Sequence, residues 1–183
     1  TPAAETQGML FLATQAGAVK RVLLADLLSS TNEETSVIRV DEKDRLGWVL
    51  YTQGDQEVML FTAEGQSIRF AEESVRTMGL SAGGVGGIKL KKKDGLVAVA
   101  MVDPTGSVVT ATEKGFVKQT PVSEYSTQGR NGGGIVTHKL HSRTGLVIGA
   151  AVIRADARAA GDSLLLLTRK GVSKPLRLDE VVQ

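Results

Sequence analysis

VVTATEKGFVKQT, residues 108–120, decides how this chain is read. The Val- and Thr-rich start suits a β-strand. Thr-x-x-Gly suits a tight turn whose Gly takes a positive φ, and Val-Lys-Gln-Thr opens a second strand. Three other stretches repeat the pattern in register: MLFLATQAGAVKR (9–21), VMLFTAEGQSIRF (58–70) and LLLLTRKGVSKPL (164–176). The turn glycines Gly17, Gly65, Gly115 and Gly171 are 48, 50 and 56 residues apart. Each copy carries a cation three or four residues after its glycine: Lys20 and Arg21, Arg69, Lys118 and Lys174. A further apolar run follows in the first three copies, at 46–52, 95–102 and 145–153. Helical periodicity is confined to short stretches near Ala25–Leu28 and Glu72–Val75.

A period near 50 residues, with a few strands in each unit, predicts blades stacked around an axis, because no single unit buries its own apolar faces. The units run over about 9–57, 58–107, 108–163 and a partial 164–183, within one domain spanning 1–183. Three and a half units are too few for an ordinary closed propeller. The expectation is therefore a piece of a longer protein.

Composition narrows the chemistry. With no Cys, neither a disulfide frame nor a thiolate metal site is possible. His138 and His141 are the only histidines, without a carboxylate nearby in sequence, and read as surface residues. Tyr51 and Tyr125, the only tyrosines, lie in no setting that makes a nucleophile. Paired carboxylates, Ser/His sets and a phosphate-binding Gly-x-x-x-x-Gly-Lys-Ser/Thr loop are all missing, so catalysis is not expected. No apolar run is long enough to span a membrane and the start shows no signal pattern; the chain reads as soluble and cytoplasmic. The net charge of +2 is unevenly spread. Residues 1–57 hold 5 Lys/Arg against 9 Asp/Glu, whereas residues 58–150 hold 11 against 7.

The loops after the cation-bearing strands also recur. SVRTMGLSAGGVGGIKL (74–90) and SEYSTQGRNGGGIVTHKL (123–140) are Gly-rich and return to an Ile and a basic residue. SSTNEETSVIRV (29–40) holds the same place in the first unit but is acidic and lacks Gly. The glycines permit sharp turns and a close approach of backbone amides to phosphate, with Arg130 supplying charge.

In these stretches the chain resembles the C-terminal domain of the DNA gyrase A subunit, with its relative in topoisomerase IV. The likeness is carried by EVMLFTAEGQSIRFAEESVRTMG and VTATEKGFVKQTPVSEYSTQGRNGGG and runs from about Met9 to Val182. It implies an all-β fold, a β-pinwheel of four-stranded blades that exchange strands with their neighbours. It also implies a basic rim that binds, bends and wraps double-stranded DNA, so directing strand passage and supercoiling by a type IIA topoisomerase. The implied partners, besides DNA, are the ATPase B subunit together with the rest of the A subunit. ATP and Mg belong elsewhere in that holoenzyme, with no cofactor in this domain. The family's diagnostic gyrase box, Gln-Arg-Arg-Gly-Gly-Lys-Gly, has a degenerate copy at Gln128-Gly129-Arg130-Asn131-Gly132-Gly133-Gly134. Gln128, Arg130, Gly132 and Gly134 match; Gly129, Asn131 and Gly133 depart.

Phosphate binding is expected first of Lys118 and Arg130, then of Arg69, Arg76, Lys89 and the run Lys91, Lys92 and Lys93, and next of Lys20, Arg21, Lys139 and Lys174. The acidic first unit places the contacts mainly on units two and three. Two alternatives stay open: a propeller-like scaffold that binds protein through its rim, and topoisomerase IV-type selection of DNA substrates without full wrapping.

Overall fold

The computed structural model describes residues 7–157 and 160–181. The first hairpin, β1 (Met9–Thr14) and β2 (Ala18–Leu23), is followed by one short helix, α1 (Leu24–Leu28), and by β3 (Leu46–Thr52). The second unit supplies β4 (Glu57–Thr62), β5 (Gln66–Ala71), the two-residue β6 (Val85–Gly86) and β7 (Leu96–Met101). The third supplies β8 (Ser107–Thr112), β9 (Val117–Pro121), β10 (Ile135–Val136) and β11 (Val147–Ile153), and the last hairpin is β12 (Ser163–Leu167) and β13 (Ser173–Arg177). Three-residue 3-10 turns at Glu72–Ser74, Val122–Glu124 and Leu178–Glu180 follow β5, β9 and β13.

All four turns are built alike. In each, the glycine N–H donates to the carbonyl of the Thr three residues earlier, at 2.9–3.0 Å. The Thr hydroxyl accepts from the amide after the glycine, at 3.1–3.2 Å. The glycines have φ between 76° and 87°, a region that other residues resist. Thr-x-x-Gly is therefore read twice by the backbone, through the hydroxyl and through the missing Cβ.

The sheets are antiparallel, ordered β3-β1-β2-β6, β10-β5-β4-β7, β11-β8-β9 and β12-β13. The outer strand of the first blade, β6, comes from the second unit and pairs Val85 with Val19 and Gly86 with Ala18. In the same way β10 leaves the third unit to complete the second blade, pairing Ile135 with Ser67 and Val136 with Gln66. Gly134 has φ +70°, and a Cβ there would lie 2.2 Å from the Ser67 carbonyl; at Gly84, with φ +90°, it would lie 2.7 Å from that of Val19. The Gly-rich loops are thus the approach by which each unit reaches its neighbour's edge.

Apolar seams lie between blades. Phe11, Ala13 and Val19 of the first unit meet Val58, Leu60, Ile68 and Phe70 of the second. Met59 and Phe61 of the second meet Val108, Val122 and Tyr125 of the third. A smaller cluster of Val109, Ala157 and Leu178 joins the third hairpin to the fourth. The first blade is covered on one face by the second and on the other by Val37, Ile38 and Leu80 of the loops, and the second lies between the first and third, so the central strands of these two blades have no solvent side.

Candidate nucleic-acid interface

That double coverage decides the fate of the cations. Lys20 is fully buried. Its ammonium donates to the carbonyls of Val37 (2.8 Å), Leu80 (2.7 Å) and Ala82 (2.9 Å), and burial lowers its pKa. Arg21 is also buried: Nε donates to the Val75 carbonyl and Nη1 to that of Gly54. Arg69 holds the Glu57 carboxylate and donates to the Val122 and Tyr125 carbonyls. Expected on a rim, these three instead tie one unit to the next. Arg21, two places after Val19, and Arg69, two after Ser67, share a strand face with those buried residues, so both point into the protein.

Arg130 is half-buried. Its Nε donates to the Ser74 carbonyl (3.0 Å) and its Nη1 to that of Gly86 (3.1 Å). Its loop therefore leans on the loop of the second unit. Asn131 at φ +61° donates its N–H to the Gly87 carbonyl, and the Gly132 carbonyl accepts from Lys89 N at 2.8 Å. The loop's polar groups are spent largely on the protein rather than aimed at a ligand.

The remaining expected residues, Arg76, Lys89, Lys91, Lys92, Lys93, Lys118, Lys139 and Lys174, are exposed. All but one stand at the hairpin end of the blades. Lys91–Lys93 form the turn that Asp94 fastens to the second hairpin through the Glu64 amide, at 3.0 Å. Exposed Lys91 also pairs with half-buried Glu64 at 3.8 Å. Lys139 follows His138, whose N–H donates to the Gly65 carbonyl. Lys89 stands in the equivalent place one unit earlier, two residues after the Gly87–Gly17 bond. Lys118 and Lys174 each lie three residues beyond a turn glycine, and the Lys118 ammonium donates to the Thr137 carbonyl at 3.3 Å. Arg76 leaves from the opposite end, just after the 3-10 turn that follows β5.

Three further cations share the hairpin end. Lys114, Arg169 and Lys170 fill variable places of the third and fourth Thr-x-x-Gly turns and are exposed. The corresponding places in the first two turns are Gln15-Ala16 and Ala63-Glu64. Glu113 offsets Lys114 in the third turn, so only the fourth, Arg169-Lys170, is net basic, as the sequence shows. Lys114, Arg169 and Lys174 line an open cleft between the third and fourth hairpins, with Leu165 and Ile148 among its apolar walls.

His138 is buried rather than on the surface. Its Nδ1 is 2.8 Å from the Thr110 hydroxyl. Burial, reinforced by the charges of Lys118 and His141, holds its pKa below the usual value. It occupies the position of Ile88 in the second unit. Ser67 and Thr137 hydrogen-bond beside it, so the second seam is partly polar where the first is apolar.

Comparison with known proteins agrees with this architecture. A family model described as "DNA gyrase C-terminal domain, beta-propeller" matches residues 8–46, 56–103 and 106–154. The chain is 36% identical to the DNA gyrase A protein of Escherichia coli over 172 residues, covering 94% of this chain and 19% of that protein. It is 34% identical to the DNA gyrase A protein of Pseudomonas aeruginosa over 176 residues, covering 96% and 18%. It therefore spans about a fifth of the length of these curated relatives. A crystal structure of the C-terminal domain of DNA topoisomerase IV superposes with TM-score 0.87 at 26% identity, over 96% of this chain and 54% of that one. The C-terminal domain of DNA gyrase A shares the fold, with TM-score 0.83 at 23% identity over 97% and 58%. Three matched repeats, their exchanged strands and their Thr-x-x-Gly hairpins place this chain in the DNA gyrase A C-terminal domain family of β-pinwheels.

Proposed function

We propose that this chain binds the backbone of double-stranded DNA along the hairpin end of its second, third and fourth units, bending the duplex and steering strand passage by a type IIA topoisomerase. The observation that carries the reading is the gathering of Lys89, Lys91–Lys93, Lys114, Lys118, Lys139, Arg169, Lys170 and Lys174 at one end of adjoining blades. Each cation near a phosphate releases counterions and adds salt-sensitive affinity. Bending a short duplex by tens of degrees costs on the order of 1–6 kcal/mol, so several contacts act together. No base-reading helix is offered, so sequence preference is weak. Arg76 and Arg130 stand apart from this row and contribute less. The acidic loop of the first unit, with Glu33, Glu34, Asp41 and Glu42 exposed, marks the end where the track stops.

The chain works in this reading as a non-catalytic part of a bacterial enzyme. Its partners are an ATPase B subunit together with the rest of an A-type subunit. ATP and Mg act in those other parts. Gyrase-type wrapping and topoisomerase IV-type substrate selection differ in the writhe left on the DNA. Relaxed circles closed by ligase in the presence of the chain separate the two.

The direct test is titration of Lys118→Glu and of the triple change of Lys91, Lys92 and Lys93 to Glu on linear duplex, beside Glu34→Gln. Both basic-site variants are expected to bind more weakly, while Glu34→Gln binds at least as well as the parent. Equal affinities for all three would remove the assignment and leave a protein-binding scaffold.

A further inference from the structure

Arg21 and Arg69 repeat one arrangement in successive seams. Each stands four residues after its turn glycine and reaches the end of the next unit's 3-10 turn. Arg21 Nε donates to the Val75 carbonyl at 2.6 Å and Nη1 to that of Gly54 at 2.9 Å, with Glu72 at 3.8 Å. Arg69 Nη1 donates to the carbonyls of Tyr125 (3.0 Å) and Val122 (3.2 Å), and its Nε holds Glu57 at 2.9 Å. Val75 and Tyr125 are equivalent residues, each closing a 3-10 turn. The backbone of the same arginines completes the link: the Arg21 carbonyl accepts from Met78 N at 2.9 Å, and that of Arg69 from Gln128 N at 2.7 Å.

The third unit breaks the series. Gln119 stands four residues after Gly115 and is buried, with its Oε1 lacking a hydrogen-bond partner. Among the described residues no side-chain hydrogen bond joins it to the turn at Leu178–Glu180. The apolar contacts of a seam are non-directional and set its area rather than its angle. A planar guanidinium that donates in a fixed fork to several groups does fix an angle.

We propose that Arg21 and Arg69 are positioning residues for DNA bending, which set the angle between successive units, and so the curvature of the cationic track, without touching phosphate. The proposal rests on the DNA reading above. Curvature is imposed across the first two seams and relaxed at the third, where Gln119 replaces the fork.

The test separates affinity from shape. Arg69→Gln, which copies the third unit, is compared with the parent chain on linear duplex for affinity and on ligated relaxed circles for writhe per bound chain. Its affinity is expected to stay within about twofold, because no phosphate contact is removed, while the writhe per bound chain falls by about half or more. Lys118→Gln is expected to show the reverse: weaker binding, with the same writhe once bound. An unchanged writhe in folded Arg69→Gln overturns the proposal. Should that variant fail to fold, Glu57→Gln, which frees one side of the guanidinium, takes its place with a smaller loss of writhe expected. Should the parent bind DNA and leave no writhe, the proposal falls while the binding reading stands. Should the parent not bind DNA, the function proposed above fails, and hydrogen exchange at the Gln128 amide still reads the seam. That amide is expected to exchange about tenfold or more faster in Arg69→Gln, and an unchanged rate overturns the angular role.

Discussion

Lys20 and Lys118 hold the same place three residues after a turn glycine, yet the first is sealed inside and the second is exposed. Lys20→Met leaves three carbonyls without their donor and is expected to cost about 3 kcal/mol or more in chemical denaturation. Lys118→Met removes one bond at the surface, and its cost stays below about 1 kcal/mol. The pair shows where the sequence is silent. A cation in a strand looks alike whether one face or both faces of its blade are covered, and only the stacking of blades tells. The parity of Val19 with Arg21 and of Ser67 with Arg69 is a legible clue, since strand side chains two apart share a face. His138 adds a pH dependence. Its folded pKa lies below the ordinary 6.5, so the unfolded chain binds more protons in that window. Its contribution to stability is full above about pH 6.5 and is lost as pH falls through the unfolded value toward the folded one. Melting at pH 7.5 and 5.5 is expected to show this drop, and His138→Ile, which copies the second unit, to lessen it.

Among the elements, the hairpins are legible in the sequence and the exchanged strands are not. Thr-x-x-Gly names its own turn, because hydroxyl and glycine both enter the hydrogen bonding. The last strand of each complete unit, β3, β7 or β11, announces itself by an apolar run. β6 and β10 are two residues long within glycine-rich loops, too short for any periodicity to register. Their signal is the glycine two residues before the second paired residue, which serves the approach to a neighbouring blade rather than a phosphate cradle. Gly134→Ala is expected to destabilise by about 2 kcal/mol, from its left-handed backbone and the Cβ clash with Ser67. Gly133→Ala, which meets open space, is expected to be near neutral. Thermal melts of the two variants make the comparison.

For the molecule as a whole, the family resemblance supplies the blade architecture, and the clustering of charge supplies the direction of the DNA path proposed above. Binding is expected to fall steeply with salt, and removing Lys91, Lys92 and Lys93 together to lower the log–log slope by up to about 0.9 for each phosphate no longer neutralised. A titration series from low to moderate salt measures it. An undiminished slope would mean that this lysine turn faces solvent in the complex, leaving Lys118, Lys139 and the fourth turn to hold the duplex.

Strand donation from the second unit to the first and from the third to the second gives the chain a one-way vulnerability. A truncation just after β9 removes β10, and so strips an edge from the blade made earlier in the sequence. The same cut leaves the first blade, already closed by β6, with its pairing intact. Injury therefore travels toward the N-terminus by one unit. During synthesis, likewise, a blade is finished only after its successor has begun to emerge.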